Sequence, residues 1–256
     1  MTQDLHGKTA LVTGGSRGLG RAIALGLAKA GADVVITYRS EAEKAEAVVA
    51  EIATLGRKSA ALPVDLEGTH DLPRFQDELA GALTAMRGSD KLDILVNNAG
   101  IQRGGVLGQV SEDDYDAIMN TNVKAVFFLT QALLEQLNDG GRIILIGSGL
   151  SRFSLPPYIV YGATKAAQDV FARYMAKTLG PRAITVNTVA PGALATDFNR
   201  ATFEANPAIV EMIAGNTALG RVGEASDVPG TVAFLAGPDS AWITGQRIEV
   251  SGGMFL

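Results

Sequence analysis

Seven short runs of apolar and β-branched residues recur along the 256-residue chain, each separated from the next by a longer stretch with helical spacing. The runs are KTALVT at 8–13, DVVITY at 33–38, KSAALPVD at 58–65, LDILVN at 92–97, RIILIG at 142–147, AITVNTVA at 183–190 and RIEVSG at 247–252. Runs that are apolar on both faces need cover above and below, and helices placed between consecutive strands supply it when the strands lie parallel. The expectation is therefore an α/β chain folded as a single domain, a doubly wound parallel sheet of about seven strands with helices on both faces.

The connecting segments carry their own signals. Residues 18–30 place Leu19, Ala22, Ile23, Gly26 and Leu27 on one stripe ahead of Gly31, a plausible C-terminal stop. Ser111 with Asp114 resembles a capping box and predicts a helix running toward Leu137. Residues 194–224, with turn signals at Asn206–Pro207 and Gly220, interrupt the alternation and predict an inserted lobe or lid.

Composition narrows the chemistry. Hydrophobic residues at 47% and charged residues at 19% suit a large core rather than a disordered chain. A net charge of −5 gives no electrostatic footprint for nucleic acid or an anionic membrane surface. There is no cysteine, which removes disulfides, a thiolate nucleophile and thiolate-bound zinc. The two histidines, His6 and His70, sit in polar, turn-like surroundings and suggest neither a metal pair nor a triad base. Charges at Asp4, His6 and Lys8 break up any signal-like N-terminus, and no apolar stretch reaches the ~18 residues of a membrane span. A soluble, cytoplasmic protein is expected.

Directly after the first run comes TGGSRGLG, Thr13 to Gly20, and then a helical pattern. A glycine-rich strand-to-helix turn lets backbone approach a pyrophosphate, and the helix N-terminus offers unpaired N–H groups and a favourable dipole. The usable glycines are Gly14, Gly18 and Gly20, a spacing that departs from G-x-G-x-x-G and on its own also fits a tight structural turn.

A second constellation lies further on, where Tyr161 and Lys165 stand four apart in YGATK, thirteen positions after Ser148. On a helix such a pair shares a face. A free phenol titrates near ~10, so acid–base work at neutral pH asks for a drop of about three units, or ~4 kcal/mol. One cation ~4 Å away at an effective dielectric of ~20 supplies about that much. Ser148 can hold a carbonyl oxygen beside the phenol, and the trio is suited to interconverting C=O and CH–OH. The competing reading is a core tyrosine with its lysine stem lying along apolar surface.

Together with NNAG at 97–100, Asn122 in NTNVKA, PGALAT at 191–196 and TGQRIEVSGG at 244–253, these motifs stand in the order and spacing of the short-chain dehydrogenase/reductases. The resemblance covers essentially the whole chain. It implies a Rossmann fold and a catalytic set of Asn122, Ser148, Tyr161 and Lys165, with Asn122 positioning a water relay from the lysine. It also assigns Gly14, Ser16, Arg17, Gly18, Leu19 and Gly20 to the cofactor loop. Asp65 and Leu66 fall on the adenine side, Asn98, Ala99 and Gly100 on the adenosine ribose side, and Pro191, Gly192 and Thr196 beside the nicotinamide and pyrophosphate. Asp65 also reads as a strand-end cap, Asn122 as a packing residue and Thr196 as a cap. Family members are usually tetramers, and a homotetramer is expected.

An NAD-selective site usually carries an acid at the end of the second strand. Here that place holds Tyr38, Arg39 and Ser40, with Arg17 projecting from the glycine loop. Two guanidiniums and a hydroxyl suit a phosphate, so NADPH/NADP+ is the expected cofactor, with no metal, against Arg39 as a solvated loop charge. Leu150, Phe153, Leu155, Pro156, Pro157 and Tyr158, with Phe198, Phe203, Ile209 and Met212, suggest an apolar substrate pocket or ordinary lid packing.

The expected function is an NADPH-dependent ketone reductase for small or aromatic ketones. The alternative is a 3-oxoacyl-[acyl-carrier-protein] reductase, and a remote one is a non-catalytic dinucleotide sensor. LLEQLNDGG at 133–141 offers no cation before Arg142 for an acidic carrier, although Arg182 keeps a basic position; Glu135 and Asp139 would repel such a partner.

Overall fold

A computed structural model of the protein describes residues 4–256. The strands are β1 (Thr9–Val12), β2 (Asp33–Tyr38), β3 (Ser59–Pro63), β4 (Leu92–Asn97), β5 (Leu137–Ile146), β6 (Thr185–Pro191) and β7 (Arg247–Val250). They form one sheet in the order β3-β2-β1-β4-β5-β6-β7, every pairing parallel. The expected doubly wound sheet is present, and each of the seven runs falls on a strand, although β5 begins five residues before its run and β6 ends one residue after its own.

The helices are α1 (Gly18–Lys29), α2 (Ala42–Thr54), α3 (Leu72–Arg87), α4 (Glu112–Met119), α5 (Ala125–Ala132), α6 (Ile159–Leu179), α7 (Arg200–Ala205), α8 (Pro207–Gly215) and α9 (Pro229–Ala236). Successive strand residues point to opposite faces, which divides the core in two. Val34, Ile36, Ile94 and Val96 pack with Ile23 and Leu27 of α1 and Val232 and Leu235 of α9. Val35, Leu95, Ile143 and Leu145 pack against Phe75 and Leu79 of α3, Leu129 of α5 and Ala172 of α6. Truncating one fully buried side chain such as Leu95 to alanine should cost about 2–5 kcal/mol. No helix among the described residues is long and apolar enough to cross a membrane.

Helix α1 ends at Lys29, just before Gly31, as expected. The helix predicted from Ser111 toward Leu137 begins as expected, the Ser111 hydroxyl accepting the Asp114 N–H at 3.1 Å, but it is not continuous. α4 passes into a π turn at Asn120–Lys124, α5 closes at Ala132, and Leu137 opens β5 opposite Leu92. Leu133 and Leu137 are four apart and both buried, so they read as a helical stripe although the turn between them separates helix from strand.

Residues 194–224 leave the sheet and return to their own base. Leu194 pairs with Gly223, the N–H of Ala195 meeting Gly223 O at 2.8 Å. α7 and α8 lie within this closed excursion.

Candidate active site

The strand order reverses direction between β1 and β4, and the chain ends of β1, β4, β5 and β6 open a crevice there, the usual place for a ligand in such sheets. Thr13, just past β1, organises it. Its hydroxyl accepts the N–H groups of Asn98 and Ala99, each at 2.9 Å. Asn98 answers with Nδ2 donating to Thr13 O at 2.8 Å and Gly14 O at 3.2 Å, so its side chain is spent pinning the glycine loop to β4.

Two glycines are required by this packing. Gly14 has φ +63°, and a Cβ on Gly20 would lie 2.5 Å from Asn98 Nδ2 and closer still to Gly14 O. At the start of α1 no side chain caps the backbone and no acidic residue occupies the first turn. Those N–H groups face the crevice beside Arg17, a combination that fits the phosphate of a dinucleotide.

Every candidate named from the sequence except Asn122 lines one cavity of about 510 Å³. Arg17 and Arg39 both reach its nucleotide end, but each meets an acid that the sequence reading left out: Arg17 Nη1 is 3.9 Å from Glu41, and Arg39 Nη1 is 3.5 Å from Glu67. Asp65 lines the cavity and also caps a turn, accepting the Glu67 N–H at 2.9 Å. Thr196 is buried at the mouth of the excursion, its carbonyl accepting the N–H groups of Asn199 and Arg200.

At the other end Ser148 follows β5 in extended backbone, its hydroxyl accepting the Leu150 N–H at 3.2 Å. Tyr161 and Lys165 share a face of α6, with Lys165 Nζ 5.5 Å from the phenol ring centroid. The lysine, 3% exposed, donates to Ile146 O at 2.7 Å. The sequence expectation of a lowered phenol pKa is not what this geometry produces. Burial pushes Tyr161 up to about 12, opposed only by its hydrogen bond to Ser148. Burial also lowers Lys165 from 10.5 to about 8, against the pull of Asp169. The ammonium is directed at a carbonyl oxygen, and desolvation outweighs its influence on the resting phenol.

Asn122 sits outside the cavity wall, fully buried in the π turn. Its Oδ1 accepts the Ile101 N–H at 2.9 Å and its Nδ2 donates to Ile101 O at 2.8 Å, which fastens the loop after β4 to the helical layer. Its own carbonyl accepts Nε2 of Gln168 at 2.7 Å. Gln168 was not singled out from the sequence, although a glutamine three residues past Lys165, on the buried side of α6, was the available signal. Behind Ser148 lies a further set: Arg247 of β7 donates to Ser148 O at 3.0 Å and pairs with Asp169 at 3.2 Å and Glu249 at 2.9 Å.

Residues 14–255 match the family described as enoyl-(acyl carrier protein) reductase. Over 266 aligned residues the chain is 39% identical to the hydroxynaphthalene reductase-like protein Arp2 of Metarhizium brunneum, covering 98% of this chain and 96% of that one. The chain belongs to the short-chain dehydrogenase/reductase family. Solved structures of such reductases superpose closely. LugOII, a promiscuous reductase that catalyses keto-reduction at C1 during lugdunomycin biosynthesis, matches with TM-score 0.93 and 42% identity, over 98% of this chain and 99% of that one. The angucycline C-6 ketoreductase LanV with bound NADP matches with TM-score 0.94 and 40% identity, over 100% and 98%. This short-chain dehydrogenase/reductase is thus an oxidoreductase whose crevice, glycine loop and Ser–Tyr–Lys face lie on one wall-to-wall cavity.

Proposed function

We propose that this protein is an NADPH-dependent ketone reductase acting on substrates with an apolar, aromatic body. The observation that carries the reading is the convergence of Ser148, Tyr161 and Lys165 on the cavity whose far end holds Arg17 and Arg39. The cofactor, when bound, would supply a hydride to the carbonyl carbon. Arg17 and Arg39, with Tyr38 and Ser40, would hold a ribose phosphate, and the uncapped start of α1 would hold the pyrophosphate.

Ser148 is placed to donate a hydrogen bond to the substrate oxygen as charge builds on it. Tyr161, with its pKa pushed up to about 12, is a neutral phenol across the working range, the state a proton donor in reduction needs. Lys165 acts later than the sequence argument placed it. Its ammonium, 5.5 Å from the phenol ring centroid, stabilises the phenolate as that forms, and two unit charges at about that separation and an effective dielectric of ~20 attract by about 3 kcal/mol. The requirement for that charge sets a pH limit. Lys165 is protonated below about 8, so the rate of reduction should hold in neutral solution and fall as pH rises through that value. The limb belongs to the coupled Tyr161–Lys165 pair.

Phe153, Leu155, Phe198, Phe203, Ile209 and Met212 line the substrate end, the last four from the 194–224 excursion, which makes that segment a lid. The Phe198 ring lies 6.0 Å from that of Tyr161, a spacing suited to an aromatic ring between or beside them. The relatives named for hydroxynaphthalene and angucycline reduction support the same class. A carrier-protein substrate has less support. Arg182 donates to Asp139 at 2.7 Å and to the Leu134 and Leu137 carbonyls, at the opposite end of β5 from Ser148. A homotetramer belongs to the same proposal, supported by Tyr174, 73% exposed on α6, with Phe127 and Phe128 exposed on α5.

The test is NADPH oxidation with aromatic ketones, aliphatic ketones, β-keto esters and acetoacetyl thioesters. Aromatic ketones should be turned over fastest, and Tyr161→Phe should lose at least about 10³-fold in kcat with NADPH binding retained. Preference for the thioesters, or an active phenylalanine variant, would overturn the reading.

A further inference from the structure

Gln168 is 1% exposed, on the same face of α6 as Lys165. An amide this deeply buried must place its donors and acceptor on protein atoms. Its Nε2 donates to Asn122 O at 2.7 Å, and its Oε1 accepts from Lys165 Nζ at 3.4 Å. Among the described residues the lysine has one other acceptor, Ile146 O. A methionine or leucine at 168 would fill the same volume as ordinary core, as Ala172 and Leu179 do further along the helix. The polar residue instead joins two parts of the site: the helix face carrying Tyr161 and Lys165, and the π turn carrying Asn122.

We propose that Gln168 is a positioning residue for proton transfer, its amide spanning Lys165 Nζ and the Asn122 carbonyl so that the ammonium is held in place beside Tyr161. The proposal rests on the ketone reductase reading. A neutral oxygen acceptor favours the ammonium over the amine and so works against the desolvation that the site imposes. The charged groups around the lysine leave room for such a contribution. On α6 itself stand Tyr161 and Asp169, and Asp169 is the charge that acts on Lys165. From β7, Arg247 faces Asp169 at 3.2 Å and partly cancels it. Of the acids of α4, Glu112, Asp113 and Asp116 are exposed to solvent, and Asp114 is paired with Arg103 at 2.8 Å.

The alkaline limb of kcat for ketone reduction is measured in the wild type, Gln168→Met and Gln168→Glu. Gln168→Met removes the acceptor at nearly constant length. Its limb should move down by about half to one pH unit, with kcat about two- to fivefold lower at pH 8 and KM for NADPH within about twofold. Gln168→Glu places a carboxylate against the ammonium, and its limb should move up. A role in packing alone would lower the plateau of both variants without moving their limbs, and limbs that stay together overturn the proposal. Titration of Lys165 followed by NMR of 13Cε-labelled lysine, the resonance assigned by its loss in Lys165→Met, reads the same displacements without turnover. An inactive wild type would sink the ketone reductase reading alone; unchanged Lys165 titration in both variants would sink the role of Gln168 alone.

Discussion

Lys165→Met should make the protein more stable at neutral pH while ending its activity, and the gain should disappear in alkali. The lysine is buried and its pKa falls from 10.5 to about 8. At ~1.4 kcal/mol per pH unit, that gap makes the charged lysine about 3 kcal/mol less favourable in the fold than in the unfolded chain at pH 7. Methionine removes this penalty and fills similar space. It also removes the hydrogen bonds to Ile146 O and Gln168, worth about 1 kcal/mol each. A net gain of about 1–2 kcal/mol remains, or a Tm higher by about 2–8 °C at this chain length. The pH dependence has a definite sign. Between about 8 and 10.5 the folded lysine is neutral while the unfolded one still binds a proton, so wild-type stability rises with pH across that window. The variant lacks this term, and its advantage should shrink by about 3 kcal/mol from pH 7 to pH 10.5. Urea unfolding of both proteins at fixed concentration across pH 7–10.5 measures it. The difference between the two curves matters more than either alone, since other groups titrate equally in both. A difference that stays constant over the window would refute the idea that burial, rather than geometry, sets the state of this lysine.

Arg39→Ala should lower kcat/KM for NADPH by about tenfold and leave that for NADH within about twofold, because one charge-assisted contact to a phosphate is lost; parallel kinetics with the two nucleotides decide it. Gly20→Ala should weaken nucleotide binding at least about tenfold, since its Cβ would displace Gly14 O or Asn98 from the loop. Fluorescence titration with NADPH checks this, and tight binding by the alanine variant would show that the loop has slack the packing denies.

How much of this was open to reading in the sequence depends on distance along the chain. Each strand was legible because its run is apolar on both faces, and Val34 through Ile36 indeed feed both cores. The glycine loop and the Tyr161–Lys165 spacing were legible because a turn and a helix are local. The break after α4 was not, because Leu133 and Leu137 are buried either way. Glu41 and Glu67 were missed as partners of the two arginines, since neither adjoins its arginine closely enough in sequence to announce the pairing. The direction of the Tyr161 shift was missed for a different reason: a cation at the right spacing is visible in a sequence, and the desolvation opposing it is not.

The same distinction explains where the site gets its rigidity. Ser148 is separated by 99 residues from Arg247, whose guanidinium donates to its carbonyl. Arg152, four residues after Ser148, pairs with Glu249 at 2.9 Å and donates to the carbonyls of Met254 and Phe255, so the last strand and the chain end are drawn under the serine loop. On the opposite side the contacts are neutral, through Asn122 and Gln168. The division suits a proton-transfer site. Charges placed near Lys165 would set its protonation directly, and Asp169, the acid that acts on it among the described residues, is shared with Arg247 and Ser151. Amides can fix the lysine without adding net charge, and the ion pairs can fix the serine from a position where their fields largely cancel.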